Sequence, residues 1–237
     1  MDKLIEFENR MKTDIESVFT NILKEHNYIL PISARSRSGA EISDFLEDNF
    51  VEYINKNSHP RIYNPTGADK RATKSPYDFC FNYNYKSENL FFDDLIWGDI
   101  KATKRSFEDS NPDLGTPEKI IKFIKEGHFY LMFVFFEYEP FEDKSKFVKF
   151  SNGKYVKCQF LKDISHTVRI NPKPQFQVNI NEPEEYRTRE EFLKLFKIKY
   201  FESVDRIIAN AQKKKSKLSE RFSELEKCLN NYQKHPN

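Results

Sequence analysis

The chain has 237 residues, 38% of them hydrophobic and 32% charged, and its 23 Phe and 12 Tyr carry much of its capacity for burial. That length and aromatic content predict one elaborated folded domain and exclude a disordered chain. Lys plus Arg (39) against Asp plus Glu (37) leaves a formal charge of +2, so any basic surface has to come from local clustering. Cys80, Cys158 and Cys228 are odd in number and widely spaced, which reads as reduced thiols. The five histidines fall in no zinc-like spacing. With no signal-like start, and an apolar run at Phe129–Phe136 too short to span a bilayer, a soluble cytoplasmic protein is expected.

In chain order, residues 3–25 place Leu4, Met11, Ile15, Val18, Phe19 and Ile22 at helical spacing, predicting an amphipathic packing helix. The loop Ser33–Gly39 is small, basic and rich in hydroxyls. Its Arg35 and Arg37 suit phosphate contact, or a solvated linker. Ser38 with Glu41 reads as a capping box opening a helix through about Asn55, whose inward stripe is Ile42, Phe45, Leu46, Phe50, Val51 and Ile54. A short strand at Arg61–Tyr63 follows. The loop Asn64–Ser75 then gathers Lys70, Arg71 and Lys74, suited to clamping phosphates or to an ordinary surface.

Residues 76–85 alternate Tyr77, Phe79, Phe81, Tyr83 and Tyr85 with Asp78, Cys80, Asn82 and Asn84, a strand period that turns Asp78 away from the aromatics. The next strand, about 91–102, puts Leu95, Trp97, Asp99 and Lys101 on one face and Ile96 and Ile100 on the other. If these strands pair, two carboxylates and an ammonium converge. Such a grouping suits a divalent cation held by hard oxygens, with the lysine beside a water or phosphate. Lys104 and Arg105 extend the positive charge, and the polar segment Ser106–Gly115 reads as a loop suited to a DNA groove.

Thr116 as N-cap, Pro117 at the first helical position and Gly127 past the end delimit a helix. It leads into His128–Phe136, a run apolar on both faces, as a central strand should be. Phe147–Phe150 and Tyr155–Phe160, joined through Asn152-Gly153, read as a β-hairpin, and Gln175–Ile180 as a further strand. Thr188 with Glu191 forms a second capping box. It opens one helix, and a charged helix from Lys213 to Gln233 with a thin stripe of Leu218, Phe222, Leu225 and Leu229 follows, suited to a neighbour or a dimer partner.

At Pro76, Asp78 and Asp99-Ile100-Lys101 the chain resembles the PD-(D/E)xK nuclease superfamily, and within it the type II restriction endonucleases, with Tyr77 separating the proline from the first acid. The resemblance implies an α/β fold with a restriction-endonuclease-like core, a mixed central sheet flanked by helices. The core would cover about 38–138 of a single nuclease domain, with the N-terminal helix 3–25, an appended β region about 146–180 and C-terminal helices about 188–234 around it. It also implies Mg²⁺-dependent, site-specific hydrolysis of double-stranded DNA to 5′-phosphate ends, with Asp78, Asp99 and the Ile100 carbonyl holding Mg²⁺ and Lys101 orienting water. A further acid is expected on the preceding helix, Glu41 with Glu47 in reserve. A homodimer is expected because a palindromic site asks for two active sites related by a two-fold axis. A structure-specific or repair nuclease of the same fold, and a non-catalytic nucleic-acid-binding protein, are the alternatives.

Overall fold

The computed structural model describes residues 3–33, 38–67, 77–88, 90–105, 112–165, 169–170 and 175–234. The elements, in chain order, are α1 (Lys3–Glu25), β1 (Ile29–Leu30), α2 (Ser38–Asn57), β2 (Ile62–Gly67), β3 (Phe79–Ser87), β4 (Leu90–Lys104), α3 (Pro117–Lys125), β5 (Leu131–Phe141), β6 (Lys144–Val148), β7 (Val156–Phe160), β8 (Arg169–Ile170), β9 (Phe176–Gln177) and α4 (Arg189–Lys234). The main sheet runs β1-β6-β5-β4-β3-β2, with β7 also on β5. Among the described residues only β4 and β5 pair in parallel, and α3 lies in the connection between them. The fold is therefore α/β, a mixed central sheet flanked by helices.

Two aromatic layers cover the sheet. On one face α1 and α2 bring Phe7, Met11, Phe19, Leu46 and Phe50 onto Phe79, Phe81, Tyr83, Ile96 and Ile100. On the other, α3, β9 and the start of α4 bring Ile120, Phe123, Phe176, Phe192 and Phe196 onto Trp97, Leu131, Phe133 and Phe135. β5 feeds both layers, Phe133 and Phe135 to one and Met132, Val134 and Phe136 to the other, as its two-sided apolar run requires. The β4 alternation is as expected from its sequence: Ile96 and Ile100 face α2, while Leu95 and Trp97 face α3.

Several expected boundaries shift. β3 begins at Phe79 rather than 76. The chain bends at Asp78, so Tyr77 leaves the parity of Phe79 and packs on Trp97 in the opposite layer. The hairpin expected across Asn152-Gly153 does not form. The turn is present, with Phe150 N–H donating to Lys154 O at 2.8 Å and Gly153 at φ 79°, but it loops the chain out without reversing it. β6 and β7 lie end to end along β5, β6 on Glu137–Phe141 and β7 on Met132–Phe136. Folding β7 onto β6 would leave the apolar half of β5 with an unpaired edge, and buried backbone groups do not go unpaired. The strand expected over 175–180 shortens to Phe176–Gln177, although Val178 and Ile180 stay buried. Thr188 and Glu191 do form a capping box: Thr188 N–H donates to Glu191 Oε2 at 2.8 Å and Glu191 N–H to Thr188 Oγ1 at 3.3 Å. The helix they open runs unbroken for 46 residues, where two were expected.

Candidate active site

The site forms where β3 parts from β4. Their ladder ends at Phe79 opposite Gly98, and one step further Asp78 N–H still donates to Gly98 O at 2.9 Å. β4 continues to Lys104, so the edge of its last residues loses its neighbour. Side chains and α2 take over that edge. The Asp78 carboxylate accepts the Ile100 N–H at 2.8 Å, and the Ser43 hydroxyl donates to the Ile100 carbonyl at 3.2 Å while also bonding Gly39 O at 2.9 Å. Gly39 rests on Ala102: a Cβ there would lie 2.6 Å from the Ala102 oxygen, so only glycine lets the helix approach this closely. Gly98 has a matching role. A Cβ on it would lie 2.2 Å from Phe79 Cζ, so the Phe79 ring covers the strand just before the acids.

Asp99 and Lys101 share a face of β4, as strand periodicity requires, and Lys101 Nζ lies 2.6 Å from Asp99 Oδ1. That oxygen is buried, and the Lys101 ammonium is the partner that holds it. Burial pushes the Asp78 carboxyl up, the Asp99 charge pushes it further, and Glu47 adds to both. Lys101 and the Ile100 N–H oppose them, and the balance lies at about 7. Burial favours a neutral Lys101, but Asp99, Asp78 and Asp113 outweigh it and hold the amine above its ordinary value, as an ammonium.

Asp78, Ile100 and Lys101 line a cleft of about 590 Å³ with Gly39, Ala40, Ser43 and Asp44 of α2 and with Asp113. Three expected residues thus meet Asp99 at one place. Glu41 does not join them: it is exposed on α2. Residues 40, 43, 44 and 47 lie along one helical face, and Glu41 is about 100° off it. Glu47 is buried over Gly67, where a Cβ would lie 2.7 Å from its Oε1. Ser43 and Asp44 were not singled out from sequence, although the spacing 40-43-44-47 was readable once that face was chosen. Among the expected cations, Lys104 is half-buried at the end of β4. Arg105 is bound to Glu137 through Nε at 2.8 Å and to the Lys149 carbonyl. Arg35, Arg37, Lys70, Arg71 and Lys74, together with Pro76, lie outside the described residues.

Among the described residues no three His, Cys, Asp or Glu side chains gather as a ligand set. The donors present are two carboxylates and the Ile100 carbonyl, whose second lone pair is not used by Ser43. Hard oxygens of this number, two of them on carboxylates of which one is pushed up by the charge of the other, fit a Mg²⁺ ion that keeps several waters.

No match is found among the curated proteins. The family model described as SwaI restriction endonuclease matches residues 3–218, from the start of α1 to well into α4. No helix of the described residues is long and apolar enough to cross a membrane. The chain therefore belongs to the SwaI-like restriction endonuclease family.

Proposed function

We propose that this restriction endonuclease hydrolyses phosphodiester bonds of double-stranded DNA at a specific short sequence, that it needs Mg²⁺, and that it leaves 5′-phosphate ends. The observation carrying this reading is the junction at the end of the β3–β4 ladder, where Asp78 and Asp99 meet Lys101 and the Ile100 carbonyl beside an open cleft.

Asp78, Asp99 and the Ile100 carbonyl are the residues that would hold Mg²⁺. When bound, the ion supplies a water of lowered pKa and charge to offset that of the phosphate. Asp78 is tied to the strand by the Ile100 N–H, and Ser43 steadies the Ile100 carbonyl from the other side, so two oxygens are fixed before any ligand arrives. Neutral Asp78 is favoured by burial and by Asp99 in the metal-free protein, and the two acids would hold the ion with their mutual repulsion offset by its charge. Lys101 stays charged at neutral pH, so it does not serve as a base. Its part is to orient a water by donating hydrogen bonds and to stabilise charge growing on the phosphate. The loops carrying Arg35, Arg37, Lys70, Arg71 and Lys74 would bind the DNA backbone. Two such sites, one on each strand, would come from a homodimer.

The test is incubation of the purified protein with plasmid and phage DNA with and without Mg²⁺. Discrete fragments that need phosphatase before their 5′ ends can be labelled by a kinase are expected, and EDTA should abolish them. Cleavage undiminished in EDTA, or in Asp99→Ala, would sink the assignment.

A further inference from the structure

A further apolar surface, sharing no residue with the cleft, lies on α4. From Val204 to Asn230 every residue of α4 is exposed, yet the helix keeps an apolar stripe there. Ile208, Ala211, Leu218, Phe222, Leu225 and Leu229 fall at the two inward positions of a heptad, with Lys215 as the single polar member. Leu218 is 42%, Phe222 62%, Leu225 56% and Leu229 62% exposed, where a solvated helix face would carry polar residues.

We propose that this segment of α4 pairs with the same segment of a second copy of the chain as an antiparallel two-stranded coiled coil centred near Glu220. The pairing deepens the reading of the enzyme as a homodimer, on which it rests. In this register Leu218 of one copy packs on Phe222 of the other, Lys215 lies over Leu225, and small Ala211 receives Leu229. The charges select the direction. Lys213, Lys214, Lys215 and Lys217 make the first half of the stripe positive, while Glu220, Glu224 and Glu226 crowd the second. Antiparallel pairing sets one against the other, and Lys215 runs its stem along Leu225 and brings its ammonium to Glu226. Parallel pairing would set Lys215 on its own copy in the middle of the seam, where a like pair is desolvated. Its compensating contact, Arg221 to Glu226, and the antiparallel liability, Arg221 beside Arg221, are both on the solvent flank, where charges count for little.

Sedimentation equilibrium of the full chain, without DNA or metal, should show a reversible monomer–dimer equilibrium. Phe222→Asp should weaken it by about 30-fold or more. Its near-ultraviolet circular dichroism should keep the signal of a packed core, because the position is exposed, while its melting should lose the dependence on protein concentration that the parent shows. Direction is read by disulfide trapping in a Cys228→Ser background. Leu218→Cys mixed with Phe222→Cys should give the mixed crosslink, and neither variant alone should crosslink efficiently. A chain monomeric at all concentrations, a dimer indifferent to Phe222→Asp, or efficient Leu218→Cys self-crosslinking would overturn the proposal. A monomer that cuts DNA defeats this pairing and leaves the nuclease reading standing. A trapped antiparallel dimer that fails to cut with Mg²⁺ does the reverse.

Discussion

The middle and the start of β3 carry two carboxylate clusters of opposite character. Near its middle, Tyr83 donates to Asp14 at 2.6 Å while Arg61 clasps the same carboxylate through Nε at 2.5 Å and through its second nitrogen at 2.8 Å, with Arg10 at 3.3 Å. Both oxygens are filled. Burial would raise this carboxyl, but the hydrogen bonds of Arg61 and Tyr83 and the charge of Arg61 outweigh it and bring it below its usual value. At the start of β3, Asp78 has one backbone donor, Asp99 pairs with Lys101, and the Asp99 charge raises the cost of ionising Asp78. A cluster that ties α1 to β2 and β3 is complete in itself. The cluster proposed to hold Mg²⁺ is left electrostatically short, and the difference is visible before any ligand is considered.

The contrast can be broken by substitution. Asp99→Asn and Lys101→Ala should each lower the cleavage rate by at least ~10²–10³-fold, worth roughly 3–4 kcal/mol in the barrier, measured as initial rates on a single-site plasmid. The melting temperature of Asp99→Asn should stay the same or rise, since repulsion around Asp78 is relieved, whereas that of Lys101→Ala should fall, since Asp99 loses its partner. Asp14→Ala should behave the opposite way. Arg61 and Tyr83 lose their acceptor, and about 2–3 kcal/mol of stability should go, read by urea denaturation, with cleavage per folded molecule kept. Gly98→Ala joins both readouts. Its methyl needs the space of the Phe79 ring, so a loss of about 1–3 kcal/mol should be accompanied by reduced cleavage as Asp78 is displaced.

The pH dependence of stability has a sign that separates the clusters. Asp78 has a folded value of about 7 against an ordinary 3.8, so the native chain binds the extra proton between them. Its contribution to stability therefore falls as pH rises from about 4 to about 7, in metal-free protein, and Asp78→Asn should remove that slope. Asp14 is lowered, so its contribution is complete above its ordinary value and is lost as pH falls through the folded one. Urea melts at pH 3 to 8 of the parent, Asp78→Asn and Asp14→Ala would show the two slopes, and equal slopes in parent and Asp78→Asn would contradict the first.

Legibility from sequence followed the range of the interactions concerned. The β4 faces, the α3 caps and the Thr188–Glu191 box were readable because each depends on neighbours one to four residues away. The bend at Asp78 was not, since it reflects the parting of β3 and β4. The Asn152-Gly153 turn was read correctly as a turn and wrongly as a hairpin: whether the chain reverses was decided by the unpaired edge of β5, about fifteen residues earlier in the chain. The position of Glu41, exposed and off the face that lines the cleft, has a related reason. The capping pattern named a residue, but which side of α2 faces the cleft depends on Gly39 resting against Ala102.

The order of residues was enough to put Asp99 beside Lys101, because a strand has a period of two whatever surrounds it. It was also enough to place a carboxylate at the head of an aromatic strand. Only the fold decided that these groups meet, because the meeting depends on antiparallel register between β3 and β4 and on the edge β4 exposes when β3 ends. That edge, closed by the Asp78 carboxylate and the Ser43 hydroxyl in place of a strand, is a long-range result of packing that no local spacing encodes.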